Sequence, residues 1–552
     1  MNRSIRAMFL LTVCITSLTN AQLLGQEGLV AHWKLDKDAK DSSGNGHHAK
    51  NHGVTFDGKS GLFNGVDTRI EIDAKAIKLG SGKFSISTYV YTDEELDDVL
   101  GDIVSHFDPA TRRGFNLSLM NYSGVTSAQS NWRNIFFGID NNRIDKKWKD
   151  CGRPGKNFMI KALAVHNGEL YAGTWEPEAD RAGHVYRYAG GKLWIDCGAP
   201  DKSNSVTSMA VYNGELYVGS ELYSGAGSSL PVSPNENHGG SVFRYEGGRK
   251  WTNVGKVADV RSISGLTVFK GKLYAGTGTT GAWRDKPRTR GMYRYDGDGK
   301  WTDCGCPGTR IVHLSVYNGK LYGMSYDDGG FFQYEGGTKW TQLGPLPDTT
   351  QVYSTAVYEG KLMAGTWPTG SVFRFLGKNK WEHAGRLGEE KEVMGMSVYN
   401  GQLYAGTLPF ADVYRYDGDS KWKTTGRLDE TPDVRYRRAW VMAVYRGKLF
   451  CGVLPSGKVM SLEAGKGTSY DRALSPGWHH IAAVKDSTRL QIYVDGSLVS
   501  ESGDFDTEKY NLDNDRPLYI GFGQHDHFKG RLANVRIYNR ALKPSEIKKF
   551  AQ

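Results

Sequence analysis

One phrase of the type AVYNGELYAGT recurs along the chain, and the residue directly after it varies in a way that could support ligand binding. In successive copies this residue is Trp175, Glu221, Gly278, Tyr326, Trp367, Leu408 and Leu454. Aromatic faces stack on the C–H surfaces of sugars and offer about 150–250 Å² of ring to bury. Basic and aromatic residues cluster after the sixth copy, at Arg435, Arg437, Arg438 and Trp440. Such a set would suit a glycan, including an anionic one.

Acidic side chains near the same positions raise the question of catalysis. Glycoside hydrolysis needs two carboxylates that flank the scissile bond. The candidates are Glu176, Glu178, Asp180, Glu221, Asp285, Asp327 and Asp328. Spacing alone does not select a pair among them. No glycine-rich loop stands between a predicted strand and a predicted helix, so we expect no nucleotide or redox cofactor.

The recurring phrase belongs to a longer repeat. A second phrase of the type VFRYEGGRKWTNVG (242–255) follows each copy, so that every repeat holds four short alternating runs around an N-G-type turn and a G-G or G-D turn. Four antiparallel strands per unit, repeated about every 40–57 residues, predict a β-propeller blade. The seventh repeat lacks its Trp half, which stands at 146–152 as KKWKDCG. We expect this early strand to pair with 457–462 and close a ring of seven blades.

The repeat resembles the Kelch repeat in its L-Y strand ending in glycine, its V-x-R-Y-D strand and its Lys-Trp pair. The resemblance covers about 318 residues and implies a Kelch-like propeller. One departure is the Ala-Gly-Thr at the end of the second strand, where Kelch repeats usually have a diglycine. The repeated tryptophans occupy one strand position, which favours packing between blades over ligand binding.

The flanking segments resemble the LamG-like (concanavalin A-like) jelly roll. GLVAHWKLD and DSSGNGHHA open the first segment, and PGWHHIAAVKD, RLQIYVDGSLV and GRLANVRIYNRAL follow in family order in the second. The resemblance implies a jelly roll formed by 27–145 and 464–552, with the propeller, 146–463, inserted between its halves. Insertion in one surface loop is plausible because the ends of a closed ring lie side by side.

The jelly-roll resemblance also implies a calcium site near the opening loop. Asp41 and Asn45 match the family loop, and Asp67 matches a nearby acid, all with the oxygen ligands that Ca²⁺ prefers. The alternative is that Asp41 and Asn45 only cap turns. Two His pairs, His47-His48 and His479-His480, could meet at a metal, although W-H-H is common in this family as a core strand.

The N-terminus predicts export. A basic start, an apolar run at 7–18 and a small residue at Ala21 form a secretory signal peptide, 1–21, cleaved after Ala21. No later apolar run reaches the ~18 residues that a membrane span needs, so we expect no membrane-spanning segment. The net charge of +10 is not gathered on a long basic face, which argues against nucleic acid as a partner.

The sequence therefore predicts an exported all-β protein, a LamG-like jelly roll with an inserted seven-bladed β-propeller. We expect a non-catalytic binding role, with a glycan or glycoprotein ligand in the propeller mouth or on the jelly roll. The predicted ligand-binding residues are Trp175, Glu221, Trp283, Tyr326, Trp367, Arg435, Arg437 and Trp440. The alternatives are a glycoside hydrolase or polysaccharide lyase with carboxylates in the mouth, and a scaffold for protein–protein interaction. An acid beside a His deep in the mouth would favour an enzyme, and a rim of exposed aromatics would favour a binder.

Overall fold

The computed structural model describes residues 26–75, 77–144, 147–278, 290–326 and 329–552. Nearly all regular structure in these ranges is β-strand, which confirms the predicted all-β class. The signal-peptide prediction, 1–21, and the predicted ligand residue Trp283 lie outside the described residues. Within the described residues no helix is long and apolar enough to cross a membrane.

Two antiparallel sheets form the jelly roll, each with strands from both flanking segments. The first sheet contains β1 (Leu29–Trp33), β3 (Thr55–Phe56), β4 (Gly61–Asn64), β6 (Phe84–Thr92), β39 (Gly477–Lys485), β40 (Leu490–Val494), β41 (Ser497–Glu501) and β43 (Lys529–Tyr538). The second contains β2 (Lys50–His52), β5 (Arg69–Ile72), β7 (Gly101–Asp108), β8 (Arg113–Tyr122), β9 (Asn131–Ile144), β38 (Ala464–Tyr470) and β42 (Leu518–Ile520).

Alternation along these strands builds one core between the sheets. Side chains such as Ile86, Phe137 and Ile481 are fully buried there, because successive strand residues point to opposite faces. A short helix, α1 (Pro544–Phe550), covers part of the outer face of the first sheet. The strands on either side of the repeats, β9 and β38, pair directly, with Phe137 opposite Thr468. The chain therefore leaves and re-enters the jelly roll on neighbouring strands.

The repeats form four-stranded antiparallel units, whose strands we call a, b, c and d in chain order. The first three units are β11 (Met159–His166), β12 (Glu169–Trp175), β13 (Val185–Gly190) and β14 (Leu193–Asp196); β15 (Ser205–Tyr212), β16 (Glu215–Glu221), β17 (Ser241–Tyr245) and β18 (Trp251–Lys256); and β19 (Ile263–Phe269), β20 (Lys272–Thr277), β21 (Gly291–Gly297) and β22 (Lys300–Asp303).

The remaining units follow the same plan. They are β23 (His313–Tyr317), β24 (Lys320–Met324), β25 (Phe331–Gly336) and β26 (Lys339–Gln342); β27 (Gln351–Tyr358), β28 (Lys361–Trp367), β29 (Ser371–Phe375) and β30 (Trp381–Arg386); β31 (Glu392–Tyr399), β32 (Gln402–Leu408), β33 (Asp412–Tyr416) and β34 (Trp422–Arg427); and β35 (Arg438–Tyr445), β36 (Lys448–Leu454) and β37 (Val459–Leu462) with β10 (Lys149–Asp150) as its fourth strand.

The units close on themselves into a β-propeller. Each a strand contacts the a strand of the next unit, and the last, β35, contacts the first, β11. The early strand β10 pairs antiparallel with β37, with Lys149 opposite Ser461, as the truncated seventh repeat predicts. This pairing gives the closing sheet its fourth strand and covers the edge that β37 would otherwise expose.

Two repeated features explain the local geometry. The a–b turns have positive φ at both central residues, for example 50° at Asn167 and 84° at Gly168, which is the type I′ geometry that an N-G pair favours. The repeated tryptophans lie between units, where Trp251 donates its indole N–H to the carbonyl of Cys197 at 2.9 Å and Trp340 donates to that of Cys304 at 2.8 Å. The predicted packing role of these tryptophans is therefore confirmed.

A loop of the jelly roll, residues 122–131 between β8 and β9, enters the central channel of the propeller, and we call it the plug. Its residues hydrogen-bond the a strands: Tyr122 to the carbonyl of Val398, Ser123 to the amide of Val316, Gly124 to that of Thr355, Thr126 to the carbonyl of Trp440, Ser127 to the amide of Leu266, Gln129 to the carbonyl of Met209 and Ser130 to the amide of Val165. The plug thus contacts every unit and closes the channel from the jelly-roll side.

Several a–b turns of the propeller rest on the jelly roll around the plug, whereas the Asn213-Gly214 turn of the second unit is exposed. The Asp98 carboxylate accepts the backbone N–H groups of Asn318 and Gly319 at 2.8 and 3.2 Å, and Asn400 donates to the carbonyls of Ile139 and Ala464. Because these turns are covered, the opposite face of the propeller, with the b–c and d–a loops, is the face through which a ligand could enter the channel.

We expect Asn131→Ala to lower the free energy of unfolding by about 2 kcal/mol. The buried Asn131 amide donates to the Val444 carbonyl at 2.8 Å and accepts the Val444 N–H at 3.0 Å. Its removal leaves both backbone groups buried without partners, at about 1–3 kcal/mol each before relaxation. Denaturant unfolding measures the change. Asn141→Ala on the same strand, which removes one exposed bond to Lys509, is the matched control, and an equal loss in both variants would contradict an anchoring role for the plug.

Candidate functional site

The plug turns the open side of the channel into a cup. The cup has a volume of about 280 Å³, and Ser127 of the plug belongs to its lining. Its walls come from two positions on the a strands and from the residues that end the b strands. Because neither a-strand position is constant among the repeats, the cup has chemically different walls on a regular scaffold.

The first position is three residues before the recurring phrase. We call this set the bulge ring: Lys161, Thr207, Ser264, Val312, Tyr353, Met394 and Trp440. In every unit except the fourth, the pairing of strands a and b shifts at this residue, for example between Ile160 and Ala162. A β-bulge leaves one residue unpaired and re-aims its side chain. All members except Met394 line the cup.

The second position is two residues earlier, at the start of strand a in five units and just before it in the third and fourth. We call this set the strand-start ring: Met159, Ser205, Ser262, Arg310, Gln351, Glu392 and Arg438. Its members from the fourth to the seventh unit line the cup. They bring two guanidinium groups, an amide and a carboxylate to one side of it.

The predicted ligand residues divide between the cup and its surroundings. Glu221, Tyr326, Trp367 and Trp440 line the cup. Trp175 instead is 1% exposed and packs edge-on against Tyr223, with ring centroids 5.0 Å apart. Its large ring fills the core beneath the b–c loops and so presents no face to the cup. The ligand role of the cup residues stays a prediction.

The two predicted arginines lie beside the cup. Arg437 donates from Nε to the carbonyl of Thr431 at 2.8 Å, which holds its own loop together, and Arg435 lies exposed against the Tyr436 ring. The next arginine, Arg438, is the one that reaches the cup. Strand a begins at Arg438, and this change from loop to strand turns alternate side chains inward.

An ion pair joins neighbouring units on one side of the cup. The Lys161 ammonium lies 3.0 Å from Oε2 of Glu221, which also accepts the Thr207 hydroxyl at 2.9 Å. The same ammonium stands 3.9 Å from the centroid of the Tyr223 ring. Both ionic side chains are at most 10% exposed, so each charge depends on the other for compensation.

A second acid lies on the strand-start ring. Burial raises the pKa of Glu392 to about 7, and the positive charge of Arg438 and the hydroxyl of Tyr353 oppose that rise. Oε1 of Glu392 and Nε of Arg438 have no hydrogen-bond partner within the described residues. Arg438 is oriented from the other side, where it donates to the Ser228 hydroxyl and to the carbonyl of Gly227. An unmade buried bond is costly, so both atoms are suited to a polar ligand.

A histidine and two tyrosines form a further part of the wall, next to Glu392. Nε2 of His313 lies 2.9 Å from the Tyr326 hydroxyl, and the Tyr326 and Tyr353 rings stack with centroids 4.3 Å apart. Burial lowers the pKa of His313 to about 3, so its imidazole is neutral at ordinary pH. Burial also raises the pKa of both phenols well above 10. This wall therefore offers neutral donors, acceptors and ring faces.

Half-buried aromatic rings stand near the entrance. Trp367 and Tyr436 meet edge to face with centroids 6.4 Å apart, and both line the cup. Trp440 lies deeper, with its indole N–H donated to the carbonyl of Lys161 at 3.0 Å. Sequence reasoning found Trp367 and Trp440 and named Arg438 in the basic cluster, but it missed Tyr353 and Glu392. Variation at two fixed positions of strand a was the signal that could have found them.

The predicted calcium ligands are occupied by local bonds. The Asp41 carboxylate accepts four hydrogen bonds, from the backbone N–H groups of His32, Ser43 and His47 and from the Ser43 hydroxyl. These fill the lone-pair sites of a carboxylate. Asp67 accepts the Asn64 amide, and the Asn45 amide donates to the carbonyls of Leu29 and Val30. A calcium ion at Asp41 would have to replace these bonds.

No group of three or more His, Cys, Asp or Glu side chains in the described ranges is arranged to hold a metal ion. The His pairs have other partners: His48 accepts the N–H of Asp41, His479 pairs with Asp495, and His480 bonds the Ser87 hydroxyl.

One further string has the spacing of a phosphate-binding loop, GVTFDGKS at 53–60, and sequence reasoning missed it. The structure places it in the hairpin between β3 and β4, with no helix after it. Asp57 accepts the backbone N–H groups of Lys59 and Ser60 at 2.9 and 2.7 Å. The amides that would hold a phosphate are thus already used.

Comparisons with known proteins bear on parts of the chain. A family model described as the concanavalin A-like lectin/glucanases superfamily matches residues 454–548, which include the second half of the jelly roll. A search of curated proteins finds no match.

Among solved structures, a streptogramin B lyase is 10% identical with a TM-score of 0.44, over 60% of this chain and 98% of that one. The WD40 β-propeller domain of Doa1 is 10% identical with a TM-score of 0.42, over 58% and 97%. YCF48 from Cyanidioschyzon merolae is 11% identical with a TM-score of 0.39, over 57% and 98%. At these identities and TM-scores, none of the three structures indicates a ligand or an activity for this chain.

We expect Glu221→Gln to lower the free energy of unfolding by about 3 kcal/mol, because it leaves the buried Lys161 charge without its partner. Lys161→Met combined with Glu221→Gln should recover part of that loss. Thermal and denaturant unfolding of the three variants measure the coupling. Glu178→Gln breaks the exposed pair with Arg181 and should change stability by less than about 0.5 kcal/mol. Independent effects of the Lys161 and Glu221 substitutions would contradict the coupling.

Proposed function

We propose that this protein binds a carbohydrate, free or on a glycoprotein, in the cup of the propeller. The observation that carries the proposal is the lining of the cup, where aromatic faces stand beside hydrogen-bonding groups in about 280 Å³. Small-molecule sites are commonly about 300–1,000 Å³. A cup just below this range is suited to a monosaccharide or disaccharide, or to the end of a longer glycan.

The chemistry of the walls supports a polyhydroxylated ligand. A sugar ring has an apolar C–H face and a rim of hydroxyl groups. Trp367 and Tyr436 offer ring faces and edges near the entrance, and Gln351, Glu392 and Arg438 offer polar groups on one side. Aromatic stacking and a few placed polar groups together give orientation and specificity.

We expect Trp367→Ala to weaken binding of a glycan ligand by about tenfold or more, since it removes an aromatic wall of the cup. A glycan array identifies the ligand, and calorimetry on the best hit measures the loss. Trp478→Ala is the matched control, because Trp478 is 44% exposed on the jelly roll, outside the cup. Equal losses in both variants would contradict the cup as the site. If the wild-type protein binds no glycan on the array, the result would favour a role as a scaffold for protein–protein interaction.

A second candidate function is a carbohydrate-active enzyme, a hydrolase or lyase. One observation favours it: Glu392, with its pKa raised to about 7 by burial, lies in the same cup as Glu221 and His313. An acid with a pKa near the working pH suits general acid–base catalysis. Release of reducing ends or of unsaturated products from the array hits, abolished in Glu392→Gln, would establish this activity. Binding without product would leave the recognition role.

We further propose that the four-stranded units form a seven-bladed, Kelch-like propeller.

We also propose that calcium binds near the opening loop of the jelly roll, at Asp41, Asn45 and Asp67. Equilibrium dialysis with ⁴⁵Ca tests the ion directly. The ion would displace the four hydrogen bonds to the Asp41 carboxylate. Asp41→Asn removes this carboxylate and should abolish calcium uptake. An unchanged calcium stoichiometry would contradict this placement.

We also propose that the protein is exported by the segment 1–21. Expression in a secreting host should give a mature chain that begins at Gln22, as measured by N-terminal sequencing or intact mass. Arg3→Glu with Arg6→Glu should reduce export, because a signal peptide needs a basic start. A mature chain that keeps Met1 would contradict the proposal.

A further inference from the structure

The outer strand of the first unit differs from that of the other six units. In those six, the residue before the repeated tryptophan is lysine, and the residue after it is threonine, glutamate or lysine. In the first unit the two positions hold Leu193 and Ile195, which are 70% and 45% exposed on β14. Lysines at an outer strand hinder its pairing with another chain. At these two positions the first unit lacks that protection and exposes apolar side chains instead.

The adjoining strand changes in the same direction. Five of the other units have an acidic residue at the position of Ala189, and in three of them it pairs with the arginine two residues earlier, as Glu246 does with Arg244 at 2.8 Å. In the first unit Arg187 pairs instead with Glu169 on strand b, at 3.0 Å. Ala189 is exposed on β13, next to the outer strand. The outer part of this unit is therefore less polar than its equivalents.

The backbone of β14 is open on one side. This strand pairs with β13 and, within the described ranges, with no other strand. Cys197, just after it, donates its N–H to the Val185 carbonyl at 2.8 Å. Because alternate residues of an antiparallel strand direct their backbone groups to opposite sides, Trp194 and Asp196 direct theirs away from β13. An open edge with exposed apolar side chains is suited to receive a further strand.

The strand is complementary to itself. Residues Lys192 to Asp196 read Lys-Leu-Trp-Ile-Asp, so the charges at the two ends are opposite and apolar residues flank the centre. When two copies pair antiparallel about Trp194, Leu193 lies opposite Ile195 of the partner subunit, and Lys192 lies opposite Asp196 of the partner subunit. Apolar and opposite-charge pairs of this kind stabilise antiparallel strands. The edge therefore fits a second copy of this chain.

The charged ends are able to change partners. Lys192 pairs with Asp150 at 3.0 Å, and Asp196 pairs with His184 at 2.9 Å and with Arg249. The Lys192 and Arg249 side chains are 67% and 60% exposed. Exposed ion pairs contribute little to stability, so their exchange for a pair between subunits costs little.

We propose that the protein forms a two-fold dimer through antiparallel pairing of β14 about Trp194. The turn before β14, at 190–192, faces residues 500–504 of the jelly roll across a groove. Antiparallel pairing rotates the partner end for end, so the two jelly rolls lie at opposite ends of the joined sheet, whereas parallel pairing would bring them to the same end. A two-fold interface uses the same edge on both copies and therefore stops at the dimer.

Sedimentation velocity at about 1–300 µM protein measures the self-association. β14 has only four residues, and this contact is small beside the ~800 Å² per partner of a standard interface, so we expect dissociation at about 10–100 µM. Leu193→Lys with Ile195→Thr gives β14 the residues of the second unit and should weaken the dimer at least about tenfold.

Leu376→Lys is the matched control. Leu376 is 54% exposed in the fifth unit and lies outside the outer strands. Its replacement removes an exposed leucine without touching β14, so the dissociation constant should change by less than about twofold.

A cross-link tests the register. In the proposed pairing, position 193 of one copy faces position 195 of the other, and neither position faces itself. We expect an oxidised mixture of Leu193→Cys and Ile195→Cys proteins to form a disulfide between positions 193 and 195 of different copies, identified by peptide mass. Neither variant alone should link to itself at its new cysteine.

The outcomes are distinct. A monomer up to about 300 µM would overturn the proposal. So would a dimer that the double substitution on β14 leaves unchanged, since self-association would then use another surface. A link that joins 193 to 193 or 195 to 195 would overturn the register. If the wild type is monomeric but loses a partner protein on the double substitution, the edge serves a different chain, and the assignment to a second copy is overturned. Circular dichroism of each variant establishes that the fold is retained.

Discussion

The plug in the central channel is the constraint on which the rest of the structure depends. The a strands of a closed propeller present backbone N–H and C=O groups to the channel, and in a buried setting these groups need partners. Residues 122–131 supply them in every unit, through bonds such as Gly124 to Thr355 and Gln129 to Met209. The jelly roll therefore completes the hydrogen bonding of the propeller, and the two parts share an interior.

This arrangement decides where function can reside. The plug fills the channel from one side, and several a–b turns around it are covered by jelly-roll groups such as Asp98. Among the described residues, the channel is open on the face with the b–c and d–a loops, as a cup with Ser127 in its lining. Because the plug closes one end, the channel is a cavity rather than a solvent-filled pore. Ionisable side chains such as Lys161 and Glu392 can be held at fixed positions in its walls.

Much of this scaffold could be predicted from the sequence, because local chemistry dictates it. Asn-Gly turns require positive φ, the Trp at one strand position must bury its ring, and the displaced KKWKDCG segment implies the pairing of β10 with β37. The plug could not be predicted. Its residues, YSGVTSAQSN, form no motif, and their partners in the ring lie up to 314 residues away in the chain, so only the folded ring shows that they fit.

The cup could be predicted in part, and the reason lies in how β-bulges act. The position at the end of strand b identified Glu221, Tyr326 and Trp367, because the repeat pattern itself puts this position at the open face. The strand-a residues lie in sequence runs that are typical of regular core strands, but the bulge beside Val441 or Val206 re-aims Trp440 and Thr207 into the channel. Repeated positions thus keep the units alike, while the bulge and the strand start are free to differ. A lysine, a tyrosine, a glutamate and two arginines occupy these positions, so the chemistry of the cup is set by the residues that do not repeat.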